Sequence, residues 1–256
     1  QQYFKYWLAQ ISADDYQGGR TIAEQLINLQ RQLTPNKTIK VTAFPGERIY
    51  QASRLKVAGF QAGLTANKHP TQLLQYLFTS WDVIKAARLT QSLLQRSPNI
   101  DAAWAANLTT ALAIRSVFIE QHKQPPLLGH FNWSNKGLTA IEQEEIAFSL
   151  GGNHLHGVWA LLIIYDAVHG KPIKLTNEST LITVPYVLAN KTNLRDIRLL
   201  LTTKHWHTIN LLPLTKSHNS AIRQYNFDLN MLINTMKANK HASLERNSSF
   251  INKKNQ

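Results

Sequence analysis

Leu26, Ile27, Leu29 and Leu33 recur at helical spacing within "GGRTIAEQLINLQRQL", and the following "PNKTIKVTAFPG" alternates β-branched and polar residues up to a Pro-Gly stop. The first pattern predicts an amphipathic helix and the second a strand ending in a turn. The alternation then continues with a helix near 47–66, a strand at "QLLQYLFT", a helix over 82–96 and a strand at "DAAWAAN". A helix over 109–121, a strand at "PLLGHF", a helix over 135–144, a strand at "EIAFSL" and a helix over 155–169 complete it. Helices of this length between short strands serve as crossovers for parallel pairing, and right-handed crossovers place them on both faces of the sheet. The predicted fold class is α/β, built on a doubly wound parallel sheet.

Ligands of such sheets bind just beyond the carboxyl ends of the strands. Residues expected there are Phe44, Pro45 and Gly46; Ser80, Trp81 and Asp82; Asn107; Asn132 and Trp133; and Gly151, Gly152, Asn153 and His154. Each has a structural explanation: Ser80 and Asp82 suit N-caps, Asn107 and Asn132 suit turns, and Trp81 or Trp133 suits a cover over the core. Together they offer flat rings and amides that both donate and accept hydrogen bonds, with few charges. That chemistry suits a small, neutral, polyhydroxylated ligand.

Charge adds a competing idea. The 256 residues carry 28 Lys and Arg against 15 Asp and Glu, a formal +13, which invites a nucleic-acid reading. Residues 191–256 alone hold 11 of the basic and 3 of the acidic residues, so most of the excess lies in the tail. Its end, "KANKHASLERNSSFINKKNQ", is polar and apolar-poor, the composition of a disordered terminus rather than of a specific nucleic-acid arm. Cysteine is absent, which removes disulfides, thiolate nucleophiles and Cys-based zinc sites. No apolar run reaches the length of a membrane span, and "QQYFKYWLAQ" lacks the apolar core of a signal peptide.

Catalytic signatures are missing from the strand ends. There is no G-x-S-x-G elbow and no glycine-rich phosphate loop, and Asp82, with Asp14 and Asp15, is all the edge offers in carboxylates. His154 and His156, like the pair in "KHWH" at 204–207, are two residues apart and lack a third ligand. The reading is therefore a protein that is not an enzyme and that needs no cofactor and no metal.

The order of segments resembles the type I periplasmic binding proteins, the ribose- and galactose-binding group whose ligand core is shared with sugar-responsive repressors. "ADDYQGGR", "RLKVAGFQAGL", "WDVIKAARLTQSLLQRSPNIDAAWAAN" and "GHFNWSNKGLTAIEQEEIAFSLGGNHLHGVWALLIIYDAVHGK" carry the resemblance, in the expected order, between about Ile11 and Leu188. It implies two lobes with the first largely absent from the chain: 1–13 a remnant of that lobe, 14–151 the second lobe, 152–178 a helix returning to the first, 179–190 a crossing strand, and 191–256 a basic extension. The helix "LHGVWALLIIYDAVHG" is apolar nearly all round, so an exposed apolar face is expected on it.

By position, the resemblance implies that Trp81 stacks on the ligand, that Asn107 hydrogen-bonds to it, and that Asn132 stands where an aspartate is common, with Trp133 a further ligand residue. Lys56 takes the place of a ligand-reaching arginine, Gly152, Asn153 and His154 lie at the second interlobe crossing, and Ala13, Asp14, Asp15 and Gly151 form the hinge. Two departures stand out, since Asn107 is followed by Leu108 rather than Asp and Asn132 is neutral. The implied function is a monomeric periplasmic solute-binding protein that closes on a sugar-like ligand and presents it to a membrane transporter of the ABC type. The alternatives are a periplasmic sensor docked on a membrane receptor kinase and, less favoured, the ligand core of a repressor.

Overall fold

The computed structural model describes residues 7–171, 181–202, 206–223, 225, 227 and 229–237. In chain order its elements are β1 (Gln10–Ala13), α1 (Asp15–Leu33), β2 (Ile39–Phe44), α2 (Gln51–Ala66), β3 (Thr71–Tyr76), α3 (Val83–Arg96), β4 (Ala102–Ala105) and α4 (Leu108–Glu120). There follow β5 (Leu127–Phe131), α5 (Asn135–Glu142), β6 (Phe148–Gly151), α6 (His156–Val168), β7 (Leu181–Val184), β8 (Val187–Ala189) and α7 (Leu194–Thr202). The chain divides into two compact units, one of residues 13–153 and 185–198 and the other of residues 7–12, 154–184 and 199–237 as far as they are described. The expected basic tail beyond residue 237, and Lys204 and His205 of "KHWH", lie outside the described residues.

The larger unit is the predicted α/β sheet. Six strands run in the order β3-β2-β4-β5-β6-β8. All neighbours pair in parallel except β8, which lies antiparallel on β6 with Leu150 opposite Leu188. Strands buried on both faces need continuous apolar runs, and β4 meets this with four buried residues, Ala102, Ala103, Trp104 and Ala105. α1 sends Ile22, Ala23, Leu26 and Ile27 into the same core, all with no solvent exposure, beside Val41, Phe60, Trp104 and Phe131. Each such large side chain contributes about 1.5–3 kcal/mol of burial.

Side chains cap three helix starts, with Asp82 among them as its residue type suggests. The carboxylate of Asp14 accepts from the Gln17 amide at 2.9 Å, that of Asp82 from Lys85 N at 2.6 Å, and the hydroxyl of Ser134 from Gly137 N at 3.0 Å. α1 and α2 approach unusually closely. A Cβ on Gly19 would lie 2.0 Å from the Lys56 carbonyl oxygen, and one on Gly59 would lie 1.8 Å from that of Tyr16. Glycine at these two positions lets the backbones touch.

The smaller unit contains a two-stranded sheet of β1 and β7, helix α6, and the extension from Leu199 onward. Trp159, Leu162 and Ile163 of α6 are buried, while Leu161, Ile164 and Val168 are exposed at 62%, 49% and 78%, so the expected apolar face is open. Asp166, fully buried, holds the extension. Its carboxylate accepts from the backbone amides of Lys216 and Ser217 at 2.7 and 2.8 Å, from the Ser217 hydroxyl at 2.6 Å and from the Tyr225 hydroxyl. Burial opposes the charge, yet these donors carry the carboxyl below its ordinary range. The amphipathic pattern over residues 229–236 becomes a helix whose Leu229, Leu232, Ile233 and Met236 are buried.

Candidate functional site

The carboxyl edge of the six-stranded sheet gathers the turns after β2, β3, β4, β5 and β6, where most of the expected ligand residues lie. Trp81 follows β3 in left-handed backbone, with φ of 59° after 54° at Ser80. Such conformations cost a non-glycine residue about 1–3 kcal/mol and persist only where the surroundings enforce them. Here the Trp81 amide donates to the Thr79 hydroxyl at 3.3 Å, and Thr79 N donates to the Pro45 carbonyl at 2.9 Å. The indole lies on Gly46, where a Cβ would sit 2.3 Å from its ring, and leans on Tyr50 with ring centres 5.4 Å apart. Even so, 44% of Trp81 remains exposed. A rigid ring with an open surface results.

Asn107 sits one residue before α4. Its Oδ1 accepts from Thr110 N at 2.9 Å and from the Thr109 hydroxyl at 3.0 Å, which caps the helix and leaves the side-chain NH2 without a partner among the described residues. Asn132, after β5, is exposed and left-handed at φ 72°, and its amide donates to Leu150 O at 2.7 Å. Gly152 after β6 takes a φ of 105°, a conformation that glycine adopts without penalty, and exposed Asn153 follows it.

Two further expected ligand residues have partners within the protein. Trp133 is only 8% exposed, lies against Gly151 where a Cβ would be 2.4 Å from its ring, and donates from Nε1 to the Ser149 carbonyl at 3.4 Å. It covers the core, the structural explanation its type allowed. Lys56 lies on α2. Its ammonium pairs with Asp15 and stands 4.8 Å from the centre of the Phe131 ring and 5.4 Å from that of Tyr186.

Of the expected hinge residues, Ala13 opens the larger unit, Asp14 caps α1, Gly151 ends β6 beneath Trp133, and Asp15 accepts a hydrogen bond from the Tyr186 hydroxyl at 2.9 Å. Tyr186 was not legible in advance, because 171 residues separate it from Asp15. Tyr50 escaped as well, since nothing in sequence spacing brings it to Trp81.

His154 belongs to the smaller unit and is exposed. Partial burial, helped by the proximity of His156, holds its imidazole below the usual range, and burial does the same for His156. His156 lines an apolar cavity of about 570 Å³ together with Trp7, Leu8, Ile11, Ile163 and Ile164. Among the described residues, no group of three or more His, Asp or Glu is arranged to hold a metal, and no helix is long and apolar enough to cross a membrane.

No family model matches the sequence, and no curated protein matches it. Solved structures do. A periplasmic sugar-binding protein from Pseudomonas fluorescens superimposes with a TM-score of 0.74 at 22% identity, covering 89% of this chain and 70% of its own. The fructose-binding periplasmic domain of a hybrid two-component system gives a TM-score of 0.64 at 18% identity over 77% of this chain and 63% of its own. A solute-binding protein of an ABC transporter from Actinobacillus succinogenes, bound to D-allose, gives 0.62 at 14% identity over 73% of this chain and 62% of its own. The chain thus spans between 62% and 70% of the length of these three proteins. Doubly wound sheet, antiparallel last strand and carboxyl-edge turns together give this chain the type I fold of the periplasmic sugar-binding proteins.

Proposed function

We propose that the chain is a solute-binding protein that captures a small neutral sugar at the carboxyl edge of its six-stranded sheet, for delivery to a membrane transporter of the ABC type. The observation that carries this reading is Trp81, a ring held rigid by Gly46 and left-handed backbone yet 44% exposed. The apolar face of a pyranose or furanose stacks on such a ring, and its hydroxyls meet neutral amides, of which Asn107 supplies NH2 donors and Asn132 both donors and an acceptor. Asn153, exposed after β6, adds a third amide. Lys56 pairs with Asp15 and Trp133 packs on Gly151, so the reading does not rest on either.

Capture and release need no bond making, so the work is binding and a shift between open and closed arrangements rather than catalysis. A periplasmic location accompanies this function. The second reading is a sensor that reports the sugar to a membrane receptor kinase, favoured by the likeness to the fructose-binding domain of a two-component system. Thermal melts with D-fructose, D-allose and D-arabinose test the binding step. A sugar at 100 times its dissociation constant adds about 2.7 kcal/mol and raises the midpoint by several degrees. No shift with any aldose or ketose, up to tens of millimolar, refutes the reading.

A further inference from the structure

Two loops of the larger unit, those that follow β2 and β3, are joined by hydrogen bonds beyond the ends of their strands. Leu77 N, Thr79 N and Ser80 N donate to the carbonyls of Ala43, Pro45 and Gly46 at 2.8, 2.9 and 3.2 Å. The buried Thr79 hydroxyl donates to the Pro45 carbonyl at 3.1 Å, and the Lys85 ammonium donates to the Ser80 hydroxyl at 3.1 Å. The Arg48 guanidinium of the first loop lies 4.5 Å from the centre of the Phe78 ring of the second. Side chains carried by these loops are therefore held in a fixed relation, and two of them are Tyr50 and Trp81.

Tyr50 stands at the N-cap of α2, and its side chain makes no capping hydrogen bond. Ser, Thr, Asp and Asn stabilise such a position, because a short side-chain oxygen reaches the first free amides of the helix. The Tyr50 ring is not core either, with 54% of the residue exposed. It neither caps nor fills. Its neighbour is Trp81, with ring centres 5.4 Å apart and planes inclined at 51°. Beside the pair in sequence, Ile49 and Ile84 are 73% and 78% exposed, and Val83 is exposed too. Five large apolar side chains on two joined loops thus face water next to the ring proposed to stack on sugar, and apolar surface gathered in this way marks a binding surface.

We propose that the site takes a glycoside in preference to the free sugar: the sugar ring covers Trp81, and a flat apolar group on its glycosidic oxygen covers Tyr50. This rests on the sugar-binding reading of the same edge and narrows its substrate class. The substituent is apolar because Ile49, Val83 and Ile84 offer no side-chain hydrogen bond, whereas a second sugar ring would need amides of the kind that Asn107 and Asn132 offer the first. It is flat because aromatic rings in tilted or offset contact attract one another beyond the area they bury.

Phenyl and methyl glycosides of D-allose, D-arabinose and D-fructose, together with the free sugars, are titrated calorimetrically into the unmutated chain and into Tyr50→Ser. Serine suits an N-cap, so the variant keeps α2, and its ligand-free melt checks that it folds. For the sugar that binds, the phenyl glycoside should bind about tenfold more tightly than the methyl one, the gain expected of one added ring contact. That advantage should vanish in Tyr50→Ser. Any loss of support for Trp81 in the variant acts on both glycosides and cancels in their ratio. Equal affinities for the two glycosides in the unmutated chain overturn the proposal, keep the sugar reading and leave the apolar surface to a protein partner. A phenyl advantage that survives Tyr50→Ser overturns it too, since the phenyl group then lies elsewhere. Failure of free sugars and glycosides alike removes the sugar reading, and the proposal with it.

Discussion

His130 is the most exposed to a decisive test, because it is a titratable group with no exposure at all, on the central strand β5. Its Nδ1–H donates to the Phe131 carbonyl at 2.8 Å, and the Ser149 hydroxyl lies 3.3 Å from the same nitrogen. Nε2 is buried without a partner, so a proton added there would carry charge into the core with no acceptor. Burial accordingly lowers the imidazole from 6.5 to about 4, against a smaller opposing pull from the Phe131 carbonyl. In the unfolded chain the ring takes its proton near pH 6.5, so between these values the unfolded state binds more protons and stability falls as the pH falls. At 1.36 kcal/mol per unit the loss reaches about 3 kcal/mol by pH 4, and none of it is felt above pH 6.5. Carboxylates titrate in part of the same window, so the quantity to measure is a difference. Urea unfolding of the unmutated chain and of His130→Asn, which keeps a side-chain donor but no titration, is followed from pH 7.5 to 4. The gap in stability between them should narrow by about 3 kcal/mol as the pH falls. Parallel curves across that range refute the reasoning.

Three further outcomes are expected. Asp166→Asn, which leaves one acceptor oxygen for four donors, should lower stability by about 3 kcal/mol in urea titrations, and the carboxylate's own contribution, present above pH 3.8, should disappear only as the pH falls through its lowered folded value. Gly59→Ala places a methyl against the Tyr16 carbonyl and forces α1 from α2, at a cost of about 1–3 kcal/mol seen as a lower melting midpoint; Gly157→Ala, with open space at its Cβ, serves as the control that should not fall. Trp81→Ala should abolish any sugar-induced rise in midpoint while changing the ligand-free melt little, since nearly half of the ring is already in water; a retained rise would remove Trp81 from the site.

Periodicity made most of the sheet legible, and its misses have local causes. The strand expected over 72–79 stops at Tyr76 because Leu77, Thr79 and Ser80 turn aside to donate their amides to Ala43, Pro45 and Gly46. Glu145 was expected to open β6, yet it and Ile146 donate back to Ala140 from a turn in which Glu144 is left-handed. The crossing expected over 179–190 is two strands rather than one: Leu181–Val184 pairs with β1 and Val187–Ala189 with β6, with Pro185 interrupting them. At the site, residue type at the strand ends was readable, but exposure was not. Trp81 and Trp133 are alike in sequence context and both rest on glycine, yet one is half open and the other shut, because only the surroundings supplied by distant segments differ. The pairing of Lys56 with Asp15 was not readable either, because no local pattern connects α2 to the start of α1 or to the Tyr186 hydroxyl that shares the Asp15 oxygen.

Asn107 divides one amide between two duties, its oxygen holding the start of α4 and its nitrogen left over. Substitution at this position therefore faces two filters at once. Asp passes the first, since a carboxylate caps a helix as well as an amide oxygen, and fails the second, since it has no hydrogen to give. Ser and Thr pass the first and place their single donor nearer the backbone, while Gln reaches outward but caps poorly. No other natural side chain meets both demands at that reach, so a substitution at residue 107 that keeps the start of α4 still removes the outward amide donor that the proposed sugar site calls for.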